Sequence, residues 1–184
     1  MGKRIIQQRR GKGSHVYKVR KKAGELRPGY LGDLNGEWKV IKLIPSAGHS
    51  TPIAKFMNNE GNLFHNFATD LLYVGQKITV GGHNDGDISK IGDLKNGTRI
   101  FNIENRPKDG GKFVRTSGLS AQVIGKEGKG IAVKLPSKNK VILHEKCLAT
   151  IGTVAGAGRT NKPFVKAGNK FHAMKARGIK FPIL

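Results

Sequence analysis

The sequence predicts a mainly β protein: small barrels in succession, held between two extended basic arms. Three observations carry that expectation. Short runs rich in β-branched and aromatic residues follow one another, with Gly, Pro, Asn and Asp between them. The turn signals recur about every 8–12 residues, the rhythm of small all-β domains. Helix signals are scarce, and the positive charge is gathered at the two ends.

The first arm spans residues 1–35. Its first 22 residues hold nine Lys or Arg and no acid. A first series of strands follows in "EWKVIKLI" (37–44), "TPIAKF" (51–56), "NLFHNFA" (62–68) and "GQKITVGG" (75–82). The stretch "GGHNDGDISKIGDLKNG" (81–97) is turn-rich and places a domain boundary near residue 95, between domains at 36–95 and 96–155. The second series is "TRIFNIE" (98–104), "GLSAQVIG" (118–125), "GIAVKLP" (130–136), "KVILHE" (140–145) and "ATIGTVAG" (149–156). The loops "GKEGKG" and "PSKNK" are short enough to join three of these strands as a meander. The last arm, 156–184, opens on "GAGRTNKPFVKAGNKFH", whose few apolar residues fit neither a helical nor a strand period. Within it, "NKFHAMKAR" (169–177) supports a turn or two of helix at most. Neither arm carries enough apolar surface to order itself, so both are expected to fold against a partner.

Charge identifies the chemistry of that partner. The 184 residues carry a formal net charge of +22, from 34 Lys and Arg against 12 Asp and Glu. All 12 acids lie in 23–145, and residues 146–184 hold eight basic side chains and no acid. A merely solvated face needs no such purge, whereas a phosphate-binding arm does. A polyanion is therefore expected, and nucleic acid is the usual one. No run of 18 apolar residues and no amphipathic basic helix speaks for a membrane. Glycine, 26 residues, is about twice its usual share. In Gly110-Gly111, Gly156, Gly158 and Gly168, all near Lys or Arg, a missing Cβ would let backbone N–H groups approach phosphate. The 12 aromatics are few for a base-stacking single-strand binder, which favours backbone and shape recognition of folded RNA.

Catalytic and metal chemistry find little support. "GDLKNGT" (92–98) has P-loop-like glycine spacing but no Lys before the Thr. Asp85 and Asp87 read as a polar hairpin tip rather than a cation site. His144-x-x-Cys147 is half a zinc motif with no second pair. Cys147 is the single cysteine, expected as a small buried residue, and it excludes an internal disulfide. The histidines show no triad-like spacing, and Asn96-Gly97-Thr98 reads as a turn. The N-terminus lacks the apolar core of a signal peptide, so a cytoplasmic location is expected. The chain reads as a binding protein, not an enzyme, with no cofactor and no metal.

Several segments carry a family resemblance. "MGKRIIQQRRGKGS" (1–14), "IFNIENRPKDGGKFVRTSG" (100–118), "CLATIGTVAGAGRTNKPFVKAGNKFH" (147–172) and "MKARG" (174–178) resemble the ribosomal protein L2 family in its archaeal and eukaryotic cytosolic form. "GHSTPIAKF" (48–56) and "YVGQKITVGG" (73–82) are similar to that family's first barrel. The resemblance implies an OB-like barrel at 36–95 and an SH3-like barrel at 96–155. It implies binding to large-subunit ribosomal RNA, neighbouring ribosomal proteins, support of the peptidyl-transferase region and a part in subunit association. Two departures stand out. Residues 11–36 are shortened and altered, and His49 stands where the family pattern leads one to expect an arginine. The family's Gly-rich, His-containing C-terminal loop is not present before the final "GIKFPIL", and no role of that loop is carried over.

On these grounds the expected RNA contacts are Lys3, Arg4, Arg9, Arg10 and Lys12 in the first arm, and Lys112 and Arg115 in the loop "GGKFVRTSG". Arg159, Lys162, Lys166, Lys170, His172, Lys175 and Arg177 are those of the last arm. No homo-oligomer is expected. The alternative is a free RNA-binding translation or assembly factor built from the same barrels.

Overall fold

The computed structural model describes residues 2–15, 17–18, 23, 25–30, 32, 34–177 and 179. Parts of both expected arms, including 19–22 and 180–184, lie outside the described residues.

The chain is mainly β, in two antiparallel sheets. The first contains β1 (Glu37–Ile44), β2 (Ile53–Met57), β3 (Leu63–Phe67) and β4 (Lys77–Thr79), in the order β3-β2-β1-β4. Alternation drives it: Trp38 and Val40 of β1 are buried while Glu37 and Lys39 face out. The β2–β3 register sets Phe56 opposite Phe64. Their rings stack at 4.8 Å, and Trp38 meets Phe64 edge-on at 4.7 Å.

The second sheet contains β5 (Ile88–Lys90), β6 (Arg99–Phe101), β7 (Ala121–Glu127), β8 (Gly130–Lys134), β9 (Lys140–Leu143) and β10 (Leu148–Ile151). Its order is β5-β10-β6-β7-β8-β9, so β7, β8 and β9 form the expected meander. The core beneath holds Ile91, Ile100, Ile103, Val123, Val133 and Ile151, with Cys147 wholly buried among them. Burial, aided by the nearby charge of Glu104, pushes the Cys147 thiol up to about 11. Cys147 therefore behaves as a packing residue, and the His144 ring accepts a hydrogen bond from the Lys146 N–H.

Three features differ from expectation. The stretch 81–97 is not only turns: β5 pairs with β10, Lys90 opposite Leu148, and a 3-10 turn follows at Ile91–Asp93. The passage between sheets lies between Thr79 and Ile88, ahead of residue 95. A three-residue strand whose partner is distant in sequence leaves no local period to detect. Second, the ends are not wholly extended. A short helix α1 covers Ile6–Gly11, and helix α2 covers Ala167–Ala176 after a 3-10 turn at Ala157–Asn161. Neither helix buries a residue, so no apolar stripe could announce them. Third, Asp87 is buried and accepts from the N–H groups of Thr79 (2.7 Å) and Asn84 (2.9 Å), bracing the hairpin from within.

The sheets meet through Phe67, Phe101 and Val154 and through a buried polar chain. The Tyr30 hydroxyl lies 2.7 Å from Thr150 Oγ1, which also accepts from Asn66 Nδ2 at 2.9 Å. Asn102 Nδ2 then donates to Asn66 Oδ1 at 2.8 Å. Burial raises the Tyr30 phenol well above its ordinary range, so it stays protonated. This network fastens the end of the first arm onto both sheets.

Candidate nucleic-acid interface

The loop between β6 and β7 is built around two carboxyl groups. Glu104 is fully buried and accepts from the N–H groups of Lys108 (3.2 Å), Gly110 (3.1 Å) and Leu148 (2.8 Å). Asp109 accepts from the N–H groups of Asn105, Arg106 and Gly111. Gly110 and Gly111 both have left-handed backbones, φ 81° and 91°. A Cβ on Gly111 would collide with the Asn102 side chain and carbonyl. The Gly110 carbonyl accepts from the Tyr30 N–H at 3.2 Å, and Gly29 has no room for a Cβ against it. This corrects the expectation that the Gly110-Gly111 N–H groups face phosphate: both are satisfied by Glu104 and Asp109. The glycines are there so that the loop and the Pro28–Tyr30 segment can touch backbone to backbone.

The loop is also strained. Asn102, Lys108 and Val114 have positive φ values of 46°, 68° and 53°. Left-handed non-glycine residues cost about 1 kcal/mol or more each and collect where a fixed geometry is needed.

What this geometry builds is a groove of about 700 Å³. Among the described residues, five cations line it, Arg27, Lys108, Lys112, Arg115 and Arg177, against one acid, Asp109. Lys112 is exposed. Arg115 is half-buried: it donates to the Pro28 carbonyl at 2.9 Å and the Gly111 carbonyl at 3.4 Å, and its guanidinium lies 4.7 Å from the Phe67 ring centre. Two of its five donors are thus spent within the protein. It positions the loop as much as it charges the groove.

His49 also lines the groove. Its Nδ1 is 2.8 Å from Ser46 Oγ, and its ring meets Phe67 edge-on. Burial, and then the charge of Arg115, holds its pKa below the ordinary 6.5, so it adds no charge at neutral pH. The unfolded chain therefore binds more protons than the folded one as pH falls through about 6.5, and stability falls with it. We expect the unfolding midpoint to drop between pH 7.5 and 5.5, and to drop less in His49→Gln. An identical pH dependence in the two proteins would contradict this. His65, lowered by burial and Lys55, acts in the same sense in both.

The other expected contacts divide into groups. Arg159 anchors the start of the last arm, donating from Nε to Ser117 Oγ at 3.1 Å. Ser117 in turn donates its N–H to Ser50 Oγ. Lys162, Lys166, Lys170 and His172 are exposed. The Lys175 ammonium sits 5.6 Å from the Phe171 ring, and His172 meets the same ring edge-on. Lys3, Arg4, Arg9, Arg10 and Lys12 are exposed on and beside α1 and do not line the groove. The structure thus joins Lys112, Arg115 and Arg177, which the sequence separates, and adds Arg27 and Lys108. Those two sit beside the Pro28-Gly29 and Gly110-Gly111 turns, the signal that could have found them.

Fold and groove together define a small, very basic β protein with a cationic surface and exposed basic ends. A sequence model of the C-terminal domain of ribosomal proteins L2 matches residues 84–181. The chain is 41% identical over 190 residues to the large ribosomal subunit protein uL2 of Pyrobaculum aerophilum, covering 99% of this chain and 77% of the relative. It is 41% identical over 191 residues to that of Methanocaldococcus jannaschii, covering 99% and 79%. For Methanocella arvoryzae the identity is 39% over 192 residues, covering 100% and 80%. The chain belongs to the ribosomal protein L2 family, of archaeal type. That makes it a structural ribosomal protein rather than an enzyme.

Proposed function

We propose that the protein is a structural constituent of the large ribosomal subunit. In this reading it binds large-subunit ribosomal RNA, helps support the peptidyl-transferase region, contributes to subunit association, and works in the cytoplasm among other ribosomal proteins. Family membership across nearly the whole chain carries the reading. The charge distribution agrees with it: +22 overall, with no acid among residues 146–184. The RNA contacts fall in three sets. Lys3, Arg4, Arg9, Arg10 and Lys12 reach outward on the first arm. Lys112, Arg115 and Arg177 take phosphate at the groove with Arg27 and Lys108. Arg159, Lys162, Lys166, Lys170, His172 and Lys175 follow the RNA along the last arm.

Co-sedimentation tests the reading. Large subunits containing the tagged chain are pelleted through a high-salt cushion. A structural constituent stays in the pellet. A free translation or assembly factor, whose hold is mainly electrostatic, washes into the supernatant.

A further inference from the structure

The loop between β3 and β4 exposes three apolar side chains in a row of four residues. Leu71 is 91% exposed, Tyr73 64% and Val74 57%. The loop is nonetheless held firmly. Asp70 donates its N–H to the Thr153 carbonyl at 2.8 Å, and Gly75 donates to the Val40 carbonyl at 2.8 Å. Tyr73 donates its N–H to Gln76 Oε1, and Leu72 packs against the first sheet's core. Leu71 also has a left-handed backbone, φ 61°. A branched residue in that conformation, with its side chain in water, is unfavourable on both counts. The protein holds an apolar knob outward on a rigid support.

The knob stands beside a pair of acids. Leu71 rims a hollow of about 450 Å³ that also holds Asp70, Asp85, His83 and Arg99. Glu37 and Glu127, by contrast, are held in ion pairs with Lys77 and Lys140. Asp70 and Asp85 are exposed and in no ion pair among the described residues. The two carboxylates outnumber Arg99, the arginine among the hollow's described residues, so its balance favours a cationic side chain over phosphate.

We infer that the 70–76 loop is a docking surface for a basic protein segment, one that lays apolar side chains on Leu71, Tyr73 and Val74 and seats a Lys or Arg between Asp70 and Asp85. With apolar side chains beside an excess of acid, the surface suits a basic protein better than it suits RNA. The inference rests on the proposed place in the large subunit, which is where such a neighbour would be met.

The test is photo-crosslinking within the assembled particle. Large subunits are prepared carrying the chain with p-benzoyl-phenylalanine in place of Leu71, and sedimentation is checked first. If neither this chain nor the unmodified one sediments with subunits, the proposed function fails, and this inference with it. If both sediment, irradiation should give an adduct to a protein of net positive charge. That adduct should weaken roughly tenfold when Asp70→Lys and Asp85→Lys are added, because like charges then face each other. An adduct to RNA, no adduct at all, or a protein adduct indifferent to the two charge reversals overturns the docking surface while leaving the function standing.

Discussion

Replacing Glu104 with alanine should cost the protein about 3–6 kcal/mol, a large part of what holds a small domain together. The change leaves the N–H groups of Lys108, Gly110 and Leu148 without an acceptor where Glu104 is fully buried. Each unmade bond costs roughly 1–3 kcal/mol, and these three fall in the lower part of that range because Lys108 is exposed and Gly110 and Leu148 are half-buried. Glu104→Gln should fall between alanine and the native protein. Its oxygen can replace only one carboxylate oxygen, and its amide nitrogen then faces an N–H donor. Urea unfolding measures both. An alanine variant within about 1 kcal/mol of the native protein would show that the loop is held by other contacts. The same residue connects stability to binding. When it goes, the loop carrying Lys112 and Arg115 keeps only the backbone bond from residue 104 to the Leu148 carbonyl as its tie to β10, and the groove's shape loosens.

Removing residues 162–184 should flatten the salt dependence of RNA binding by about 2–3 units of log–log slope. The deletion removes Lys162, Lys166, Lys170, Lys175, Arg177 and Lys180. With about half of these on phosphate, each contributes roughly 0.7–0.9 to the slope. The cut is placed after Asn161 because Arg159 anchors the arm through Ser117, and Ala157 packs where Gly118 has no Cβ. Both sheets should therefore stay folded. The measurement is affinity for a large-subunit RNA fragment across a salt series, with circular dichroism as the check on folding. An unchanged slope in a folded variant would mean that the arm does not touch phosphate.

Strands were legible in the sequence wherever they alternate. β1 falls on "EWKVIKLI" because Trp38 and Val40 turn inward while their charged neighbours turn out. β5 was hidden, since three residues cannot display a period and their partner lies some 60 residues away. The helix at 167–176 was hidden for a different reason. It buries no residue, so its signal is local backbone preference alone, which is weak evidence in a stretch holding Gly168. The groove was half legible. Lys112 and Arg115 are adjacent in sequence to the glycine pair and invited attention. That Arg27 arrives beside them follows only from long-range closure: the Arg115 bond to the Pro28 carbonyl and the Tyr30 bond to the Gly110 carbonyl. Arg177 joins them from the end of α2, which no local signal announces. The backbone donors of the glycine pair were misassigned because sequence does not reveal that Glu104 turns inward.

The contact between Tyr30 and Thr150 spans 120 residues of chain. Synthesis proceeds from the N-terminus, so Tyr30 leaves the ribosome long before Thr150 exists to receive its hydroxyl. β5 also waits for β10, over about half that length of chain. Contacts of such long reach close slowly, because the loop entropy must be overcome before they form. During that interval the first arm has its earlier partners, His65 and Gly110, but not its buried link to the second sheet, and its cations are open to whatever polyanion stands nearest the emerging chain.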